Sequence, residues 1–186
     1  MYAKYHTEAI VLGSTPRGEQ DKTVTLYTRD FGLVRARASA IRSERSKMRY
    51  ALQNYSIARI SLVRGTSGWR AAGAQQLHDA LKSENVRSFA RIASLVERLV
   101  TGEEKNERLY VILADTHDAL RRVQSASVEL LAVARVLYTL GYLSSESLGS
   151  ALFLATAYSE QELEVAEKEK KALLASVNRA LSETHL

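Results

Sequence analysis

Between Leu33 and Arg49 the chain carries Arg35, Arg37, Arg42, Arg45, Lys47 and Arg49 against a single acid, Glu44. Guanidinium and ammonium groups at this density do one kind of chemistry well: they hold phosphate oxygens by charge and by forked hydrogen bonds. They stand in two registers. Val34, Ala36, Ala38 and Ala40 share one face of an alternating strand, and Arg35 and Arg37 share the other. Beyond Ile41 the basic positions are irregular among Ser43, Ser46 and Met48, which predicts a mobile loop. Arg29, Arg59, Arg64 and Arg70 extend the charge, and acids are nearly absent between residues 31 and 70. The rings interleaved with them are Tyr27, Phe31, Tyr50, Tyr55 and Trp69. Bases stack on exposed rings at about 1 to 3 kcal/mol each. Core packing claims Phe31 and at least one of Tyr27 and Tyr55, which leaves Tyr50, beside the basic loop, as the stacking residue. The expected nucleic-acid contacts are therefore Arg35, Arg37, Arg42, Arg45, Lys47, Arg49, Tyr50, Arg59 and Arg70.

Other chemistries find no such constellation. Cysteine is absent, which excludes disulfides, thiolate catalysis and cysteine-held zinc or iron-sulfur sites. The histidines, His6, His78, His117 and His185, have no repeating ligand spacing. On a helix Asp115 and Asp118 share a face while His117 points away from them, so the three do not converge on a metal. Gly65-Thr-Ser-Gly68 lacks the length and the lysine of a phosphate loop and reads as a hairpin turn. No serine occupies a Gly-x-Ser-x-Gly elbow. The expectation is a binding protein without enzyme activity, metal or cofactor.

The elements that position the arginines are short strands. Thr7–Leu12, Thr23–Thr28, the arginine strand, Tyr55–Val63 and Trp69–Ala74 alternate in character and are punctuated by Gly13, Pro16, Gly18, Gly32 and Gly65-Thr-Ser-Gly68. Five strands in about 70 residues, most with no helix between them, predict a small closed barrel. From Leu77 the pattern turns helical. Ser83 is expected to cap a helix running to Gly102, and a second covers Glu104–Val123. A third, Val128–Leu140, is apolar on most sides, stops at Gly141 and is expected at the centre of a bundle. A weaker helix is expected over Ser145–Ala157. Ser159 and Glu162 form a capping-box pair opening a last helix to Leu181, with Glu164–Lys168 and Glu167–Lys171 at helical spacing on a solvated face. The fold class is α+β, with an oligonucleotide-binding-type barrel over residues 1–76 and an all-α domain of four to five helices over 77–186.

Charge follows this division. Residues 1–80 hold 13 Lys and Arg against 6 Asp and Glu, and residues 81–186 hold 13 against 15, within an overall charge of +5. A basic barrel on a mildly acidic scaffold fits a nucleic-acid partner. The longest apolar candidate, Ala126–Leu143, contains Glu129 and Arg135, and the N-terminus lacks the apolar core of a secretory signal, so a cytoplasmic address is expected.

The first 75 residues resemble the family of the bacterial recombination mediator RecO. The resemblance rests on Glu8-Ala-Ile-Val-Leu12, Gly18-Glu19-Gln20-Asp21, Leu26, Thr28 and Gly32, and the Arg42–Ser46 loop leading to Leu52-Gln53. It implies binding of single- and double-stranded DNA, annealing of complementary strands, and loading of the RecA recombinase together with RecR. It further implies a helical-domain site for the acidic tail of single-stranded DNA-binding protein, for which Arg121, Arg122, Leu131 and Arg135 are the counterparts here. Three departures stand out: Ala40 replaces a glycine common before the basic loop, Gly141–Gly149 holds no cysteine zinc element, and the helical part is short. An RNA-binding barrel, or an adaptor acting mainly through its helices, are the other readings of the same residues.

Overall fold

The computed structural model describes residues 3–81, 85–123, 126–144 and 150–184. Five strands, β1 (Lys4–Arg17), β2 (Asp21–Thr28), β3 (Gly32–Ala38), β4 (Ile57–Gly65) and β5 (Gly68–His78), form a closed barrel in the order β1-β2-β3-β5-β4. All neighbours pair antiparallel except β3 with β5, which meet in parallel at Ala36–Trp69 and Arg37–Arg70. A single-turn helix, α1 (Met48–Ala51), lies between β3 and β4. The expected barrel and following helical region are both present.

Alternation dictates what faces inward. Ala9, Val11, Val24, Leu26, Val34, Ala36, Ala38, Ile60, Leu62, Trp69 and Ala71 fill the barrel, with Ile41 and Leu52 contributed from the β3–β4 connection. β1 is longer than its apolar run because it continues through Gly13 and Pro16 after a bulge between Val11 and Gly13. Proline is tolerated there because β1 pairs with β4 only from Lys4 to Ile10, so Pro16 lies on a stretch with one free side. β4 begins two residues later than its pattern implies. Tyr55 takes a left-handed φ of 65°, and the Ser56 hydroxyl donates to the Ala51 and Gln53 carbonyls at 2.9 and 2.8 Å, ending the turn after α1.

Among the described residues six helices follow: α2 (Asn85–Leu99), α3 (Glu107–Arg122), α4 (Ala126–Thr139), α5 (Ser150–Leu154), α6 (Glu160–Lys168) and α7 (Lys170–Glu183). The expected Ser83 cap and most of the Ser145–Ala157 helix lie outside the described residues; of the latter, α5 is observed. The expected final helix is two, broken at Glu169. Ser159 and Glu162 do form the capping box. The anticipated i,i+4 pairs give way to Lys170 on Glu167 at 2.9 Å, and Glu167 also accepts from the Ser127 hydroxyl.

Compactness divides the chain into residues 1–82 with 93–110, and 83–92 with 111–186. In the first unit the stretch 93–110 belongs with the barrel. The Tyr27 hydroxyl donates to the Asn106 carbonyl at 3.4 Å, and the Arg29 guanidinium lies 4.9 Å over the Tyr110 ring. In the second unit α4 packs against α5, α6 and α7, with Val128, Leu131, Ala132, Ala134, Val136 and Leu137 buried, and it ends at Gly141 with φ 81°. The Tyr142 N–H returns to the Leu137 carbonyl at 2.8 Å, the six-to-one bond that closes such helix ends.

Gly32, opening β3, has φ 64°, and a β-carbon built there would sit 2.1 Å from the Glu104 carbonyl oxygen. Backbone cannot yield as a flexible side chain would. Gly32→Ala is therefore expected to destabilise the protein by about 3 kcal/mol or more, combining the left-handed cost with overpacking, measured by chemical denaturation.

Candidate nucleic-acid interface

The strand arginines take the places their alternation requires. Arg35 and Arg37 are exposed on β3 while Val34, Ala36 and Ala38 are buried. Across the sheet Arg35 stands opposite Thr25 and Arg37 opposite Thr23 on β2, and the parallel pairing sets Arg70 of β5 beside Arg37. Arg17 closes the far end of β1 opposite Asp21. Arg17, Arg35, Arg37 and Arg70, with Thr23 and the β4–β5 turn Gly65–Gly68, line an open groove of about 370 Å³. In barrels of this topology the face of strands 2 and 3, flanked by the loops after strands 1 and 4, is where oligonucleotides lie. Four guanidiniums around one groove favour a polyanion there.

Acids distant in sequence neutralise four of the barrel's arginines, of which Arg37 and Arg59 are expected contacts. Arg37 Nε and Nη2 donate to Asp21 Oδ2 at 2.9 and 2.6 Å. Glu8 takes both Arg29, at 3.0 Å, and Arg59, at 3.6 Å. Arg64 pairs with Glu103 at 3.2 Å and lies 5.3 Å over the Trp69 ring. Arg59 does not line the groove; on β4 it stands across from Glu8. No ion pair engages Arg17, Arg35, Arg42, Arg45, Lys47, Arg49 or Arg70 among the described residues.

The basic loop is irregular but pinned. Ile41 enters the barrel core and Met48 packs against it. The Arg42 N–H donates to the Gln20 carbonyl at 3.0 Å, and successive turns bond Ser43 to Ala40, Ser46 to Ser43 and Arg49 to Ser46. Expected to share the inward face, Ala40 is instead exposed, with φ 51°, and its N–H donates to Asp21 Oδ1 at 2.8 Å. It therefore adopts the left-handed conformation to which a glycine is better suited. Arg42, Arg45, Lys47 and Arg49 are exposed but do not line the groove, so the two registers of charge form separate surfaces.

Among the rings, Tyr50 is 63% exposed on α1. Tyr27 is fully buried, and its hydroxyl is pushed up to about 12 by burial and by Glu104. Trp69 is a core residue: it is 6% exposed and packs with Phe31 and Tyr5 at centroid distances of 5.4 and 5.5 Å.

The four residues expected to contact a partner are not brought together. Leu131 and Arg135 are wholly buried, while Arg121 and Arg122 are exposed at the end of α3, Arg122 pairing with Asp118 at 2.9 Å. Arg135 is a structural hub. It donates to the Leu152, Thr156 and Ala157 carbonyls and to Glu162 at 2.7 to 3.0 Å, and lies 4.7 Å over the Tyr158 ring. Sequence reasoning missed Arg17, which reads as part of a turn after Pro16, and Asp21, whose role is invisible without the pairing of β2 to β3.

A closed barrel in this strand order, with a cationic groove on its β2–β3 side, defines a barrel of the oligonucleotide-binding class. Residues 1–70 match the family described as Recombination protein O N terminal. The chain is 32% identical over 154 residues to DNA repair protein RecO of Pelotomaculum thermopropionicum, covering 74% of this chain and 56% of that protein. It is 30% identical over 145 residues to DNA repair protein RecO of Thermodesulfovibrio yellowstonii, covering 75% and 58%. To DNA repair protein RecO of a Synechococcus strain it is 26% identical over 149 residues, covering 73% and 52%. The chain belongs to the RecO family. It spans about half the length of the curated relatives it matches.

Two outcomes follow from the loop anchor. Ala40→Gly relieves the left-handed strain at the expense of a freer unfolded chain, and a net stabilisation of about 1 kcal/mol is expected by denaturant titration. The Asp21 carboxyl is held below its ordinary 3.8 by the Ala40 N–H first and by Arg37 second. A depressed folded value means that this contribution is complete above the unfolded value and is lost as pH falls through the folded one. A carboxyl NMR titration should place the Asp21 midpoint below that of an unfolded aspartate.

Proposed function

We propose that this chain is a DNA-binding protein of recombinational repair that acts by binding, not by covalent chemistry. The carrying observation is the convergence of Arg17, Arg35, Arg37 and Arg70 on one groove of the barrel. In this reading the strand arginines hold the phosphates of a single strand. Arg42, Arg45, Lys47 and Arg49 add charge alongside, and the exposed Tyr50 ring offers a stacking platform. Arg59, shared with Glu8, contributes little. The barrel, closed by β5 through His78, is the nucleic-acid module of this reading, and the helices that follow are its scaffold.

Double-stranded DNA is the second substrate of this reading, and strand annealing and recombinase loading are its outcomes. RecR and the acidic tail of single-stranded DNA-binding protein are the partners, the latter engaged away from the buried Leu131 and Arg135. The proposed setting is the cytoplasm. Among the described residues no helix is long and apolar enough to cross a membrane.

Anisotropy titrations of a labelled oligothymidylate at several salt concentrations test this. With four to six phosphate contacts, log K should fall with log salt at a slope of about −3 to −4. The Arg35→Ala, Arg70→Ala double variant should flatten the slope by about 1.4 and weaken binding about tenfold or more, while Arg59→Ala stays within about twofold of wild type. A salt-independent affinity, or a double variant that binds like wild type, overturns the proposal. Matched RNA strands bound more tightly than DNA would move the reading to RNA.

A further inference from the structure

The groove's acid is as informative as its arginines. Arg37 is one of four guanidiniums lining the groove, and its Nε and Nη2 are both given to Asp21 Oδ2. Arg17, Arg35 and Arg70 carry no ion pair among the described residues, so one cation of the four is already occupied. The other carboxylate oxygen, Oδ1, accepts the Ala40 N–H at the root of loop 39–47. Two further bonds lay that loop along the β1–β2 turn: the Arg42 N–H to the Gln20 carbonyl at 3.0 Å, and Arg42 Nη1 to the Gly18 carbonyl at 3.4 Å. A single carboxylate therefore joins the groove to the basic loop.

We propose that Asp21 is an internal competitor for the groove. Its carboxylate occupies Arg37 in the free protein, the phosphate of a bound strand displaces it, and the displacement loosens loop 39–47 from the β1–β2 turn. The inference rests on the reading of the groove as a phosphate site. The Arg37 side chain is 51% exposed, so a phosphate reaches it without unfolding the barrel. Once there, it places a second anion beside Asp21, and like charges at contact repel. The Asp21 side chain, 17% exposed at the start of β2, then gives up Arg37 and with it the arrangement that holds the Ala40 amide. A strand that also engages Arg17, Arg35 and Arg70 offsets this displacement with further contacts, whereas an isolated phosphate cannot. Asp21 thereby biases the groove toward continuous strands over single phosphates.

Asp21→Asn tests this, because the amide oxygen can still accept the Ala40 N–H while the carboxylate charge that holds Arg37 is gone. The variant is expected to bind oligothymidylate about three- to tenfold tighter at low salt, with a salt slope close to that of the wild type, because Arg37 meets a phosphate in both. In the Arg37→Ala background the same change should give no such gain, as a double-mutant cycle requires. In the wild type, amide exchange at Ala40 and Arg42 should quicken when oligonucleotide is added. A thermal melt of each variant verifies folding. Asp21→Asn binding equal to or weaker than wild type overturns the proposal, as does a gain that persists without Arg37, which would reflect net charge alone. Unchanged exchange at Ala40 overturns the link to the loop. If the Arg35→Ala, Arg70→Ala double variant binds like wild type, the phosphate reading itself has failed, an outcome separate from these.

Discussion

Two residue pairs close the barrel. Where β3 runs parallel to β5, Ala36 meets Trp69 and Arg37 meets Arg70, and every other strand neighbour is antiparallel. This short junction gives the wall its chemistry, because it alone brings the arginines of β3 next to that of β5. The pairs alternate in direction as strands must: Ala36 and Trp69 face the core, Arg37 and Arg70 face solvent. A slip of one residue on β3 would turn Arg35 and Arg37 inward and Ala36 outward. The cost of burying two guanidiniums without partners makes the observed register strongly specified.

Much of this was legible in the sequence because alternation is local. The inward and outward faces of β3, the strand number, the Ser159–Glu162 cap and the stop at Gly141 all follow from residues within a few positions of one another. What was not legible is long-range. Asp21, Glu8 and Glu103 neutralise Arg37, Arg29, Arg59 and Arg64 across separations that only strand pairing and the return of residues 93–110 create. A count of acids between residues 31 and 70 therefore overstated the free charge. The loop after Ala38 looked mobile because its polar residues dominate, yet Ile41 roots it in the core with Met48 packed against the same cluster.

Arg135 teaches the same lesson in the helical unit. The family resemblance assigned it to a site for an acidic partner. Its surroundings supply that partner internally, in three carbonyls, Glu162 and the Tyr158 face. Removing one member of such a buried set costs more than its hydrogen bonds contribute, because the remaining polar groups stay desolvated and unpaired. The capping box at Ser159 and the burial of α4 are thus one arrangement, since Glu162 serves both.

Trp69 is the only tryptophan in the chain, and it sits at the closing junction, against Phe31 and Tyr5 and under the Arg64 guanidinium. Its indole emission is consequently a private optical signal of barrel closure, since no other residue carries an indole. The protein carries its own spectroscopic label at the place where its groove is made.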